Sequence, residues 1–159
     1  MSEDFNNTLN LPKTDFPMRG NLPQREPEML EKWEQDRIYY ALSEKNKGKP
    51  SYTLHDGPPY ANGNIHLGTA MNKVLKDIIV KYKSMTGFNA NYVPGWDCHG
   101  LPIELKAIKQ IGIDSGAIDP VTLRKSCRSF ALSCLDDQKK QFKRLGVWGD
   151  FDDPYLTIK

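Results

Sequence analysis

The stretch GNIHLGTAMNK, residues 63–73, carries the side chains of this sequence that are best placed for chemistry on an anion. His66 and Thr69 are three residues apart, with Gly68 between them, at the point where an apolar helical period begins. Residues three apart share a face of a helix, and the first turn of a helix presents unpaired N–H groups and the positive end of its dipole. The stretch therefore predicts a phosphate-binding helix start, in which Gly68 leaves room for a flat ring or a phosphate.

An ordinary helix start is the alternative for the same residues. In that case His66 lies near the N-cap and Thr69 faces solvent, and the spacing alone does not decide between the two. The sequence contains no Gly-x-x-x-x-Gly-Lys and no Gly-x-Gly-x-x-Gly, so it has neither a Walker loop nor the dinucleotide-binding fingerprint. Both interpretations stay open at this level.

An α/β arrangement with parallel strands is predicted around this helix start. The expected elements are a short strand over 51–56, a helix over 67–85 and a second short strand over 88–93. Gly57-Pro58-Pro59 ends the first strand because neither proline can donate to a ladder, and Gly87 ends the helix. This succession predicts a right-handed βαβ crossover, in which ligands bind beyond the carboxyl ends of the strands.

Two predicted helices carry apolar stripes, and the stripe of the second helix is expected to be buried. In the helix over 67–85 the stripe consists of Leu67, Ala70, Met71, Val74, Leu75, Ile78, Ile79, Tyr82 and Met85. A further helix is predicted over 120–145, with Asp119 as N-cap and Gly146 as the C-terminal stop. Its expected stripe consists of Leu123, Cys127, Phe130, Ala131, Cys134, Phe142 and Leu145. The two cysteines in this stripe are interpreted as core residues.

The N-terminal fifty residues are predicted to form an arm followed by a helix. Residues 1–27 contain four prolines and no sustained period, which favours an extended arm. A helical spacing of apolar residues then runs over 27–41, and the later stretch GWDCHGLPIE is interpreted as a loop. The predicted division is an arm and helix over 1–50 and a nucleotide-binding domain over 51–159.

Composition and charge fit a globular chain without restricting its partners. Hydrophobic residues make up 38% and charged residues 26% of the chain, which excludes wholesale disorder. A net charge of +2 neither requires nor excludes a nucleic acid. Three cysteines without a Cys-x-x-Cys pair favour a reducing compartment. We expect a cytoplasmic protein with neither a signal peptide nor a membrane-spanning segment.

Two blocks of sequence flank the predicted crossover helix. HDGPPYANGNIHLGT, residues 55–69, is followed by YVPGWDCHGLPIELK, residues 92–106. Both blocks resemble class I aminoacyl-tRNA synthetases and, within that class, the isoleucyl-tRNA synthetases, with HLGT at 66–69 standing where the class has its His-x-Gly-His signature. The stretches TDFPMRGNLPQREP at 14–27 and LGVWGDFDDPYLT at 145–157 also resemble bacterial isoleucyl enzymes. The resemblance therefore covers nearly the whole chain.

The resemblance implies a nucleotide-binding fold and an ATP-dependent activity. The fold would be the first half of a class I synthetase Rossmann-like domain, preceded by the N-terminal arm and helix. The activity would be adenylation of isoleucine by ATP with Mg²⁺, followed by transfer of the aminoacyl group to tRNA(Ile), in a full-length enzyme expected to be a monomer without membrane contact. Such phosphoryl chemistry depends on positioning and charge stabilisation and needs no nucleophilic side chain.

The same resemblance implies roles for individual residues. The residues implied for ATP binding are Asn62, His66, Gly68 and Thr69, of which His66 and Thr69 would be catalytic. The residues implied for isoleucine binding are Gly57, Pro58, Trp96 and Asp97. Asp97 would hold the α-ammonium as an ionised carboxylate, whereas a core role is the alternative for Trp96. His99 is open between a structural and a substrate-side role, and no residue of this chain is implied to bind a metal.

Thr69 is the point at which the chain departs from the family pattern, because the signature usually ends in histidine. A hydroxyl donates one neutral hydrogen bond, whereas an imidazolium would donate a stronger, charge-assisted one. We expect a working variant, in which Thr69 contacts the phosphates in the transition state.

The resemblance also implies that other parts of the enzyme lie outside these residues. Members of the family are several times longer, and their second signature, Lys-Met-Ser-Lys-Ser, does not occur in this sequence. The editing insertion, the anticodon-binding helices and the zinc-binding cysteines would lie elsewhere too. A parallel sheet with one crossover unit is expected to expose apolar surface and either to associate or to be only loosely packed. Two alternatives stay open: a different nucleotidyltransferase with a similar turn, and a stand-alone ATP- or amino-acid-binding module without turnover.

Overall fold

A computed structural model of the chain describes residues 5–10, 15, 17, 19–112 and 118–159. A 3₁₀ turn at Phe5–Thr8 comes first. The helices are α1 (Leu22–Gln35), α2 (Ile38–Lys45), α3 (Leu67–Met85), α4 (Leu101–Ile111) and α5 (Pro120–Arg144). The strands are β1 (Gly95–Trp96) and β2 (Tyr155–Leu156), which pair in parallel with Gly95 opposite Tyr155 and Trp96 opposite Leu156.

Parallel pairing organises the segments on either side of α3. The segment before α3 pairs in parallel with the segment after it at Ser51–Asn89 and again at Tyr60–Asp97. The predicted fold class, α/β with parallel strands around a crossover helix, is confirmed.

The two predicted strands themselves are wrong in extent. The segments 51–56 and 88–93 each make only one bridge, and the paired strand begins later, at Gly95. A side chain accounts for part of the difference, because the N–H and C=O of Tyr92 both bond to the hydroxyl of Tyr39, each at 3.1 Å. That backbone is thus satisfied without a neighbouring strand.

The two long helices lie where the sequence predicted them. α3 runs over the whole of 67–85, with His66 as its N-cap. α5 begins directly after Asp119, whose carboxylate accepts a hydrogen bond from the N–H of Thr122 at 3.0 Å. Leu145, predicted to belong to the buried stripe of α5, is exposed instead, because it lies beyond the last residue of the helix.

The N-terminal region is more helical than predicted. α1 begins at Leu22, inside the stretch interpreted as an extended arm, and Pro23 occupies its first turn, where a missing N–H costs nothing. The helix predicted over 27–41 is divided at Arg37, which adopts a left-handed backbone with φ of +46°. The guanidinium of Arg37 lies 4.2 Å above the ring of Tyr40. The break thus places Arg37 across the first turn of α2.

The stretch over 95–104, interpreted as a loop, contains β1 and the start of α4. Gly100 takes a φ of +88° directly before α4, and Pro102 lies in its first turn. A proline in the first turn is pre-organised for helix, so the sequence carried a signal for α4 that the loop interpretation missed.

The core lies between β1 and α5. Trp96 and Phe142 are almost completely buried, with ring centroids 5.9 Å apart, and Phe151 lies 6.4 Å from Trp96. Cys134 is buried and Cys127 packs half-buried against this cluster, as expected of core cysteines. β1 is therefore held against α5 by the packing of Trp96 on Phe142.

The apolar stripe of α3 faces outward. Its exposed residues are Leu67, Met71, Val74, Leu75, Ile78, Ile79, Tyr82 and Met85, with exposures from 37% to 86%. The buried residues of α3 are Lys73, Asp77 and Val80. Lys73 bonds to Asp56 and Tyr92, and Asp77 bonds to Lys81 and to the N–H of Trp148, so polar partners determine which face turns inward. The expected exposure of apolar surface is observed.

Candidate active site

His66 caps the N-terminus of α3 through its side chain. Its backbone is extended, with φ of −100° and ψ of 169°, and its Nδ1 accepts a hydrogen bond from the N–H of Thr69 at 3.2 Å. A ring that accepts through Nδ1 carries its proton on Nε2. One of the orphan N–H groups of the first turn is thus satisfied within the chain, whereas the ring itself is exposed.

Gly68 makes room for this imidazole. A Cβ at position 68 would lie 3.0 Å from Cε1 and 3.1 Å from Nδ1 of His66, which is tighter than ordinary contact. The space above Gly68, which was expected to admit a ligand ring, is therefore lined by the His66 ring. The predicted contact between Gly68 and adenine stays a prediction.

Asp97 directly follows β1 and lies beside the loop that leads to α3. Its N–H donates to the carbonyl of Pro59 and its carbonyl accepts from the N–H of Ala61, each at 2.8 Å. The carboxylate is 23% exposed. Its Oδ1 accepts hydrogen bonds from the hydroxyl of Thr157 at 3.2 Å and from the N–H of His99 at 3.4 Å. In the part of the chain that the structure describes, every hydrogen bond to this carboxylate falls on Oδ1, so Oδ2 is available to a ligand.

The loop between Tyr60 and His66 is fixed by side chains of α4 and α5. Gln138 is buried, and its amide donates to the carbonyls of Tyr60 at 3.0 Å and Gly63 at 2.6 Å while accepting from Nε1 of Trp96 at 3.0 Å. The indole N–H of Trp96 and both donors of the Gln138 amide are thus used inside the protein, which favours the core role for Trp96.

Two more polar side chains hold the same loop. Gln141 accepts from the N–H of Ile65 at 2.9 Å and donates to Asn64 at 2.7 Å. The ammonium of Lys106, from α4, donates to the carbonyl of Asn62 and lies over Gly63. These contacts set the entry of the chain into α3.

A buried ion cluster ties the start of this loop to α3. The carboxylate of Asp56 accepts from the ammonium groups of Lys73 and Lys76 and from the hydroxyl of Tyr92. Burial by itself raises the pKa of Asp56, but these hydrogen bonds outweigh it, and the pKa lies below its usual value. Burial lowers the pKa of Lys73 in spite of its carboxylate partner, and burial also raises the pKa of Tyr92. Gly57 and Pro58 follow this anchor directly and are exposed.

Comparison with known proteins identifies the family. The profile of the family described as tRNA synthetases class I (I, L, M and V) matches residues 28–159. The chain belongs to the class I tRNA synthetases. It is 66% identical over 155 residues to the isoleucine--tRNA ligase of Thermoanaerobacter sp. (strain X514) and 61% identical over 156 residues to that of Desulfitobacterium hafniense (strain DSM 10664 / DCB-2). Each match covers 98% of this chain and 17% of the relative, so the chain spans a small part of the relatives' length.

A solved structure shares the fold of this synthetase chain. It is the crystal structure of the ternary complex of Agrobacterium radiobacter K84 agnB2 LeuRS-tRNA-LeuAMS, with a TM-score of 0.69 and 20% sequence identity. The match covers 89% of this chain and 16% of that chain. At this identity the likeness concerns the fold alone.

Sequence reasoning missed several side chains of the candidate site. The residues missed are Asp56, Lys73, Lys106, Gln138, Gln141 and Thr157. A signal existed for Gln138, because it continues the three-and-four spacing of Ala131 and Cys134 and is a polar residue inside an apolar stripe. Nothing in the local sequence connects Thr157 with Asp97, which lies 60 positions earlier.

Other features of the described residues lie apart from the predicted site. A cavity of about 590 Å³ lies between α1, α2 and the end of α5, and none of the predicted site residues lines it. Within 5–10, 15, 17, 19–112 and 118–159, no three His, Cys, Asp or Glu side chains are grouped as metal ligands. None of the described helices is long and apolar enough to cross a membrane.

Proposed function

We propose that this chain forms part of the amino-acid-activating site of an isoleucine--tRNA ligase. The observation that carries the proposal is the half-buried carboxylate of Asp97, whose Oδ1 is held by hydrogen bonds. The backbone of Asp97 pairs with the loop that leads into α3. A fixed carboxylate with one available oxygen suits the α-ammonium of an amino acid. The 66% identity to isoleucine--tRNA ligases supports isoleucine as that amino acid.

The ATP side of the proposed site is the N-terminus of α3. The first turn offers N–H groups and the positive end of the dipole of a 19-residue helix. His66, Gly68, Thr69 and Asn62 would surround the nucleotide there. Mg²⁺ would arrive as a complex with ATP.

The reaction joins the two halves of this site. A carboxylate oxygen of isoleucine attacks the α-phosphorus of ATP, the bond to the bridging oxygen breaks, and pyrophosphate leaves with its electron pair, giving isoleucyl-adenylate. Asp97 would orient the amino acid by its ammonium, and the α3 N-terminus with Thr69 would stabilise charge on the phosphoryl oxygens.

Gly57 and Pro58 would border the aliphatic side chain of isoleucine, because they follow the fixed Asp56 and are exposed on the same loop. Trp96 would then support the wall of the isoleucine pocket from the protein core, since its ring is fully buried. The transfer to tRNA(Ile), the cytoplasmic location, the monomeric state and any zinc site belong to the same proposal and concern parts of the ligase outside these 159 residues.

Isoleucine-dependent exchange of pyrophosphate into ATP tests the proposal in a full-length ligase carrying these 159 residues. We expect exchange with isoleucine and none with aspartate or lysine. Exchange with valine should be weaker but still measurable, because an aliphatic pocket discriminates little against the loss of one methylene. Exchange that is independent of any amino acid would favour a different nucleotidyltransferase and contradict the proposal.

The isolated 159-residue chain is expected to bind without appreciable turnover. The Lys-Met-Ser-Lys-Ser signature does not occur in it, so part of the phosphate contacts would be missing. Calorimetry with ATP and with isoleucine measures this binding directly, and the Asp97→Asn chain is the control for isoleucine.

A further inference from the structure

Thr157 contacts the carboxylate on which the proposed isoleucine site depends. Its hydroxyl lies 3.2 Å from Oδ1 of Asp97 and accepts a hydrogen bond from the N–H of Cys98 at 2.9 Å. Because the N–H of Cys98 occupies a lone pair of the hydroxyl, the hydroxyl proton is free to point at the carboxylate. The hydroxyl therefore links the backbone after β1 to Oδ1.

The register of the two strands produces this contact. Leu156 lies opposite Trp96 in the parallel pair. The residues that follow them, Thr157 and Asp97, are therefore neighbours. The N–H of Thr157 also donates to the carbonyl of Trp96 at 3.3 Å. Thr157 is half-buried. Its hydrogen bonds to the carbonyl of Trp96 and from the N–H of Cys98 keep it in place.

We propose that Thr157 is a positioning residue that orients the Asp97 carboxylate toward the α-ammonium of the amino acid. The inference rests on the proposed function. The hydroxyl restrains Oδ1, and Oδ2, which accepts no hydrogen bond from the described residues, stays available to the ammonium. His99 is a weaker candidate for this role, because its side chain is 66% exposed and its Nε2 is 3.6 Å from Oδ1.

The effect on amino-acid binding separates this role from a general contribution to folding. A residue that orients the ammonium partner changes the KM for isoleucine, whereas loss of packing changes the KM for ATP and the thermal stability as well. A hydrogen bond to a charged group changes affinity by about tenfold or more when it is removed.

The experiment measures isoleucine-dependent pyrophosphate exchange in a full-length ligase carrying this chain, with Thr157→Val and Thr157→Ser. We expect Thr157→Val to raise the KM for isoleucine by about tenfold and to leave the KM for ATP within about twofold. Thr157→Ser keeps the hydroxyl and should restore the KM for isoleucine. Thr86→Val is the matched control, because the Thr86 hydroxyl, among the described residues, bonds to carbonyls at the end of α3. If Thr157→Val does not fold, Thr157→Ala removes the hydroxyl without placing a methyl group against the carboxylate.

The outcomes are distinct. An unchanged KM for isoleucine in Thr157→Val, or a Thr157→Ser variant as impaired as Thr157→Val, overturns the role of Thr157 while the proposed function stands. Equal rises in the KM for ATP and for isoleucine also overturn it and indicate a structural residue. A wild-type ligase without isoleucine-dependent exchange overturns the proposed function itself.

Discussion

The imidazole of His66 accepts the N–H of Thr69 at 3.2 Å and lies against Gly68, so one side chain both caps α3 and covers its first turn. The two interpretations of the HLGT stretch are therefore compatible. An N-cap histidine satisfies one N–H of the helix, and a phosphate could be bound by the N–H groups that remain. The exposed ring can also turn toward a ligand without disturbing the core.

Gly68→Ala tests whether the position of the His66 ring affects ATP binding separately from stability. The new Cβ would crowd the His66 ring at 3.0 Å and should displace it. Loss of the cap costs about 1 kcal/mol, and replacing glycine by alanine inside a helix returns about 1 kcal/mol. We therefore expect an almost unchanged free energy of unfolding in urea, but a KM for ATP raised by about fivefold or more. Asn72→Ala, at an exposed position of α3, is the control. An unchanged KM for ATP would show that the space at Gly68 is not used by the nucleotide.

Thr69→Ala tests the hydroxyl alone, because the bond from the backbone N–H to His66 survives the substitution. We expect pyrophosphate exchange in the full-length ligase to slow by about tenfold or more, as for a lost contact to a charged group. Thr69→Ser should retain most of the rate. A Thr69→Ala enzyme with the wild-type rate would remove this hydroxyl from the site.

Asp56→Asn should destabilise the 159-residue chain strongly. The substitution leaves the buried ammonium of Lys73 without its carboxylate, and breaking a buried pair in this way costs about 3–5 kcal/mol. Glu44→Gln, which breaks an exposed pair with Lys47, is the control and should change the free energy of unfolding by less than about 1 kcal/mol. Urea denaturation at neutral pH measures both variants.

The pH dependence of wild-type stability follows from the lowered pKa of Asp56. Since the folded pKa lies below the unfolded one, the carboxylate contributes stability above about pH 4 and loses it as the pH falls through its folded pKa. Wild-type stability should therefore drop more steeply on acidification than that of Asp56→Asn. Parallel curves for the two proteins would contradict the assignment of this cluster.

The exposed apolar face of α3 should make the isolated chain associate. Ile78 is 56% exposed, so Ile78→Glu should change the free energy of unfolding by less than about 1 kcal/mol. The same change should shift sedimentation velocity toward the monomer, because it places a charge in the apolar face. Asn72→Glu adds the same charge to α3 outside that face and serves as the control. A strongly destabilised Ile78→Glu chain would show that the face is packed.

Features set by local sequence were predicted well. α3 and α5 follow from unbroken helical spacing, and the cap at Asp119 follows from the preference of a carboxylate for that position. The parallel crossover follows from the alternation of extended and helical segments. The helices and the cap depend on residues a few positions apart, and the crossover depends on the order of the elements along the chain.

Features set by distant partners were not predicted. The inward face of α3 is decided by Asp56 and by the backbone of Trp148, which bind Lys73 and Asp77 across the fold. Apolar periodicity alone pointed to the opposite face, because it assumes that the hydrophobic side of a helix is covered within the same chain. The contact between Thr157 and Asp97 likewise arises from strand register, which the sequence of either segment does not contain.

The isoleucine dependence of pyrophosphate exchange in an Asp97→Asn ligase tests the central claim most directly. The asparagine keeps the shape of the side chain and can still accept the hydrogen bond from Thr157, but it removes the charge that would pair with the α-ammonium. We predict a fall in kcat/KM for isoleucine of about a hundredfold or more, with the KM for ATP within about threefold of the wild-type value. A kcat/KM for isoleucine equal to that of the wild type would contradict the assignment of Asp97 to the amino-acid site.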